Sequence, residues 1–180
     1  PASFYIQHDV EEIARTLIGK TLHTHYDGVH TSGIIVETEA YNGIIDKASH
    51  AYGNRCTNRT KIMYAEGGVA YVYFCYGMHH LFNVVTNVAG VPHAVLIRAL
   101  EPIQGIEKMM ERRKKKQIDF SITRGPGSVA QAMGLHTRHS GQSLMGPDIW
   151  ITEDMEEINQ KDIIASPRIG VAYAQEDALL

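Results

Sequence analysis

The chain has 180 residues, 44% of them hydrophobic and 21% charged, with a formal net charge of −3. This fits one globular domain with a single core and argues against a uniformly basic surface. No apolar run approaches the roughly 20 residues that span a bilayer, and two cysteines, Cys56 and Cys75, are too few for a disulfide framework or a thiolate metal site.

The N-terminus, Pro1-Ala2-Ser3-Phe4-Tyr5, carries neither a signal-peptide pattern nor an initiator Met, so the chain reads as a processed or trimmed intracellular protein. Residues 9–19 predict a short helix. Asp9 is placed to cap it, Glu11 and Glu12 fall in its first turn, Val10, Ile13, Ala14, Leu17 and Ile18 form its apolar stripe, and Gly19 ends it. A strand at 20–26, a turn at Asp27-Gly28 and a strand at 33–41 follow. Residues 42–60 are polar and irregular, with helical fragments expected around 46–50 and 57–63. Val69–Tyr76, Leu81–Val88 and Ala94–Leu100 predict three strands, broken at Gly77 and at Ala89-Gly90-Val91-Pro92. Helices are expected over 104–116 and over Ser128–Met133, with late strands at Ile149–Ile151 and Ile169–Val171. The expected architecture is a single mixed α+β domain over residues 1–180, with a central antiparallel curved sheet, peripheral helices and a protruding hairpin.

Charge is unevenly spread. Residues 151–180 hold seven acids against Lys161 and Arg168, whereas 108–124 gathers Lys108, Arg112, Arg113, Lys114, Lys115, Lys116 and Arg124 against Glu111 and Asp119. Arg55, Arg59 and Lys61 form a smaller basic group. A polyanionic partner is permitted; a solvated helix end or loop at 112–116 explains the main cluster equally well.

Chemistry concentrates around Glu37-Thr38-Glu39-Ala40-Tyr41. Alternation along a strand puts Glu37, Glu39 and Tyr41 on one face, and ionised groups leave water only when paired or used. Arg98 interrupts the apolar strand Val95–Leu100 and is the natural partner. It would either form a structural ion pair or hold a carboxylate charged and able to take a proton from water. Spacing alone does not choose between Glu37 and Glu39. Tyr71 and Tyr73 share a strand face, and Tyr76 abuts the Gly77 turn, where a protruding ring can wedge between stacked bases. Ten histidines, among them His23, His25, His30, His79 and His80, form no recognisable metal-ligand pattern. Gly125-Pro126-Gly127-Ser128 is a tight helix entry whose N–H groups could meet a phosphate.

Glu37–Tyr41, His50, Tyr71–Met78, Asn83, Leu96–Pro102 and Gly125-Pro126, in this order, resemble the alkyladenine (3-methyladenine, methylpurine) DNA glycosylase family from about Asp9 to Val171. The resemblance implies a monofunctional enzyme that works as a monomer without a metal or other cofactor, in the cytoplasm or nucleoid (or a nucleus). It would flip 3-methyladenine, 7-methylguanine, hypoxanthine or ethenoadenine out of duplex DNA and hydrolyse the N-glycosidic bond, initiating base excision repair. It further implies Glu39 as the general base with Arg98 beside it, Tyr41, His50 and Tyr73 stacking on the flipped base, Asn83 crowding the amino group of guanine, and Tyr76 filling the gap in the duplex. Arg55, Arg59 and Arg124 are the implied backbone contacts. The resemblance also leads one to expect a basic, aromatic C-terminal segment beyond Leu180, so the sequence reads as truncated there, and the chain is less basic than DNA binding leads one to expect. Two alternatives stand beside this reading: a catalytically inactive nucleic-acid-binding module, and a bifunctional glycosylase using an amine nucleophile such as that of Pro1.

Overall fold

The computed structural model describes residues 1–153 and 158–179. Six strands build one curled antiparallel sheet: β1 (Thr21–Tyr26), β2 (Val29–Tyr41), β3 (Ala70–Cys75), β4 (His79–Thr86), β5 (His93–Gln104) and β6 (Ile149–Thr152). Their order across the sheet is β3-β4-β5-β2-β1-β6. The single α+β domain with an antiparallel sheet is therefore as the sequence predicts. No helix among the described residues is long and apolar enough to cross a membrane.

Among the described residues three α-helices accompany the sheet: α1 (Val10–Leu17), α2 (Ile106–Arg113) and α3 (Pro126–Met133). The Asp9 carboxylate caps α1 by accepting from the N–H groups of Glu11 and Glu12. Val10, Ile13, Ala14 and Leu17 are buried as the periodicity requires, and Thr38 of β2 donates to the Ala14 carbonyl at 3.0 Å. Several elements differ from the expectation. The strand expected to end at Leu100 continues to Gln104, so the next helix starts only at Ile106. Of the helical fragments expected around 46–50 and 57–63, the first does not form, and 3-10 turns stand instead at Tyr52–Asn54 and Lys61–Tyr64. Ile169–Val171 is not a strand, because Gly170 takes a φ of +79° and turns the chain.

The two faces of β3, β4 and β5 have different destinations. Ala70, Val72, Phe82, Val84, Val95 and Ile97 join the main core with the helices. Their strand neighbours Tyr71, Asn83 and Leu96 point to the other face. Registers align these three with β2: Tyr71 is opposite Asn83, Asn83 opposite Leu96, and Leu96 opposite Glu39. One row of side chains thus crosses four strands and ends on a carboxylate.

The ladder beside that carboxylate is irregular. Between Ile35 and Thr38 the β2–β5 register shifts twice, leaving Val36 extra on β2 and Arg98 extra on β5. A bulged residue leaves the ladder and re-aims its side chain. The two acids differ in exposure: Glu39 is buried at 7% exposure, whereas the Glu37 side chain, held by the same Arg98, is 47% exposed.

The basic cluster at 112–116 is not simply a solvated end. Arg112 donates to the carbonyls of Ala132 and Tyr26, and Arg113 to those of Ile122 and Ser121 and to the Gln131 side chain. Two of the five cations hold α2 against neighbouring backbone, including the C-terminal end of α3.

Candidate active site

A cleft of about 290 Å³ opens on the face carrying the Tyr71–Glu39 row. Glu39, Tyr41, His50, Tyr73, Asn83 and Arg98 all line it, and Tyr76 stands at its edge. Every base-binding and catalytic residue expected from the sequence is thus gathered in one place. A second surface hollow, near Pro1 and Trp150, contains none of them.

Glu39 is at the focus of three donors. Arg98 Nε lies 3.1 Å from Oε1, the Ile169 N–H donates to the same oxygen at 3.3 Å, and the Tyr41 hydroxyl donates to Oε2 at 2.9 Å. The bulge that frees Arg98 from the ladder lets its Nη1 donate to Glu37 as well. One guanidinium thereby spans both acids: the exposed Glu37 anchors it, and the buried Glu39 faces the cleft. Burial, with the Glu39 charge second, raises the Tyr41 phenol far above its ordinary value, so its proton stays available for this bond.

Arg168 was missed as a site residue by sequence reasoning. Its guanidinium makes a bidentate pair with Asp46 at 2.8 Å on each arm, and both side chains are buried. It also donates to the carbonyls of Ala40 and Asp177, and it stacks 4.5 Å from the Tyr41 ring centroid. The end of β2, the loop that carries His50 and the late segment bearing Ile169 are drawn together by this one side chain. A lone Arg before Ile169-Gly170 in an acidic C-terminal region was the sole sequence signal.

The opposite wall is aromatic. His50 and Tyr73 meet edge-on with centroids 4.5 Å apart. His50 Nε2 lies 2.8 Å from Arg59 Nη2, and Nδ1 lies 2.9 Å from the Tyr71 hydroxyl. Arg59 also lies over the Tyr73 ring at 5.3 Å, so a residue expected on the DNA backbone is engaged with the cleft wall. Arg55 and Arg124 are exposed. Asn83 donates to the Tyr71 carbonyl at 3.1 Å, which fixes its amide at the cleft floor.

Burial, followed by the Arg59 charge, pulls His50 down to about 4. Its unfolded value is about 6.5, so between these values the unfolded chain binds more protons. Stability from this group is complete above about pH 6.5 and is lost as pH falls towards about 4. Replacing His50 by asparagine is expected to flatten the fall of the urea midpoint over that interval. An unchanged slope would refute the buried neutral imidazole.

At the hairpin tip, Met78 N–H donates to the Cys75 carbonyl at 3.2 Å, closing a turn in which Tyr76 and Gly77 both have positive φ, +51° and +69°. Tyrosine rarely adopts this conformation. The outcome is an aromatic ring that is 86% exposed, beside Met78 and half-exposed Phe74.

Among the described residues, no group of three or more potential ligand side chains is arranged to hold a metal ion. Comparison with known proteins gives one consistent result. The profile of the methylpurine-DNA glycosylase family matches residues 3–180. A Chlamydia felis protein named as a candidate 3-methyladenine DNA glycosylase is 49% identical over 177 residues, covering 98% of this chain and 90% of its own length. Similarly named proteins of Chlamydia pneumoniae and Bacillus cereus are 48% and 45% identical, covering 96% and 98% of this chain and 87% and 89% of their own.

Proposed function

The chain belongs to the methylpurine-DNA glycosylase family, and we propose that its cleft receives a damaged purine flipped out of duplex DNA. Membership makes it a hydrolase of N-glycosyl bonds that acts on DNA. The observation that carries the finer reading is the buried Glu39 carboxylate, held by three donors at the end of an aromatic slot.

In this reading water lies beside Glu39 and attacks C1′ as the N-glycosidic bond breaks. The bond's electron pair leaves with the base, and the water's proton goes to Glu39. The carboxylate also opposes the positive charge building on the sugar. Arg98 fixes its orientation and shares its charge with Glu37. A purine alkylated at N3 or N7 is already cationic and departs without a dedicated acid, which is why one catalytic carboxylate serves where ordinary glycoside hydrolases use two.

Tyr41 supplies one stacking face, with Arg168 behind it; His50 and Tyr73 supply the other. Asn83, tethered to the Tyr71 carbonyl, obstructs the exocyclic amino group of an undamaged guanine. Tyr76 enters the gap left in the duplex, while Arg55 and Arg124 contact phosphates. The enzyme acts as a monomer in this reading. Lesions that pair or stack poorly lower the few kcal/mol that flipping costs, so selection lies partly in the DNA.

The test is incubation with duplexes carrying 3-methyladenine, 7-methylguanine, hypoxanthine, ethenoadenine or only normal purines, scoring free base. Release from at least one lesion duplex and none from the normal duplex is expected. Comparable release from the normal duplex would contradict the proposal. Tyr76→Ala should weaken binding to lesion duplex by about tenfold, on the scale of a lost stacking contact. An unchanged dissociation constant would remove Tyr76 from the interface.

A further inference from the structure

The polar chain on the cleft's far wall has a direction. Arginine donates only, so at 2.8 Å from Arg59 Nη2 the His50 Nε2 must be the acceptor and carry no proton. The neutral imidazole therefore has its proton on Nδ1, which donates to the Tyr71 oxygen at 2.9 Å. The reverse arrangement, with Tyr71 donating to Nδ1, would set Nε2–H against a guanidinium N–H. The Arg59 side chain also reaches the Tyr71 oxygen, and, like the imidazole N–H, it can only donate. The Tyr71 proton is thus left over, on a residue that lines the cleft. Burial raises this phenol above its ordinary value, with Arg59 opposing, so the hydroxyl stays protonated.

Successive donors strengthen one another, and the chain begins at a cation. We infer that Arg59, His50 and Tyr71 form a directed relay that ends in a hydrogen-bond donor to the departing base, serving purines that leave without a positive charge. The inference rests on the substrate reading above and adds to it a specificity-determining residue, Tyr71. When the N-glycosidic bond breaks, its electron pair passes to the purine. A cationic base becomes neutral, whereas a neutral one becomes negatively charged. Donors aimed at developing charge act mainly in the second case. The relay transfers no proton: Tyr71 keeps its own, Glu39 takes that of water, and the released base is protonated from solvent. His50 is thus a stacking surface and also the link that orients the phenol.

The test compares single-turnover release of hypoxanthine, which is neutral, with that of 7-methylguanine, which is cationic in the nucleotide. Tyr71→Phe keeps the ring and removes only the hydroxyl. It should slow hypoxanthine release by about 10²-fold and 7-methylguanine release by less than about tenfold. Arg59→Ala alters an exposed side chain and should shift the ratio in the same direction, because His50 is then free to take its other tautomer; Arg59→Lys, which restores a donor cation, should recover part of it. Equal slowing of both substrates in Tyr71→Phe would mean that the hydroxyl only holds the cleft wall in shape, and would overturn the relay. Unchanged release of hypoxanthine would overturn it too. An unsubstituted protein that released 3-methyladenine or 7-methylguanine but no hypoxanthine would overturn the relay and leave the substrate reading standing, whereas one that released none of the four lesions would overturn both.

Discussion

Replacing Glu39 by glutamine should lower base release by about 10³-fold or more while lesion-duplex affinity stays within a few-fold. Glutamine preserves the size of the side chain, and its carbonyl oxygen can still accept from Arg98 or Tyr41. What it loses is the negative charge and the ability to take a proton. The two readouts separate the candidate roles. A binding module with a structural Glu39–Arg98 pair would show altered affinity and no dependence of chemistry on the charge. Single-turnover rates together with equilibrium binding on a 3-methyladenine duplex measure both. Retained release in the Gln variant would sink the assignment. Glu37→Gln is the informative companion: it loosens the outer anchor of Arg98 and should cost far less, since Glu37 does not line the cleft.

The second large effect is expected at Arg168 and Asp46. Breaking a buried ion pair by removing one member leaves an uncompensated charge and typically costs about 3–5 kcal/mol. Arg168→Met or Asp46→Ala alone should lower the urea midpoint accordingly, with the unfolding slope unchanged. Substituting both with apolar residues should recover much of the loss, because no charge is then stranded. The Ala40 and Asp177 carbonyls would still lack their donor, so recovery stays incomplete. Single variants within about 1 kcal/mol of the parent would show that solvent reaches the pair. In the double variant Tyr41 loses the cation behind its ring, which makes base release a second measure of whether stability and stacking can be separated.

How much of this was legible in the sequence depends on where each contact is encoded. Alternation within β3 puts Tyr71 and Tyr73 on one side, and the resemblance supplied Glu39, Tyr41, His50, Asn83 and Arg98 as companions. All of them line one cleft. Alternation alone would have placed Glu37 there as well. Exposure separates the two acids beside an irregular ladder: Val36 and Arg98 bulge out of it, and a bulge depends on how two strands distant in sequence settle against each other. The Arg168–Asp46 pair joins positions 122 residues apart and has no local signature at all. Arg112 and Arg113 looked like part of a solvated run because composition does not reveal the backbone carbonyls that meet them. Arg59 looked like a phosphate contact for the same reason, its engagement with His50 being created by the fold of the 50–60 loop. Ile169–Val171 carried a strand-like pattern, yet its value to the site is the turn at Gly170 and the Ile169 N–H on Glu39.

The central claim is that water activated by Glu39, and no protein amine, displaces the base. Borohydride added during turnover on a 3-methyladenine duplex tests it most directly, since reduction captures any covalent link between an amine such as that of Pro1 and the sugar. The account predicts that free 3-methyladenine accumulates and that no protein–DNA adduct forms. A stable adduct forming as base is released would contradict it.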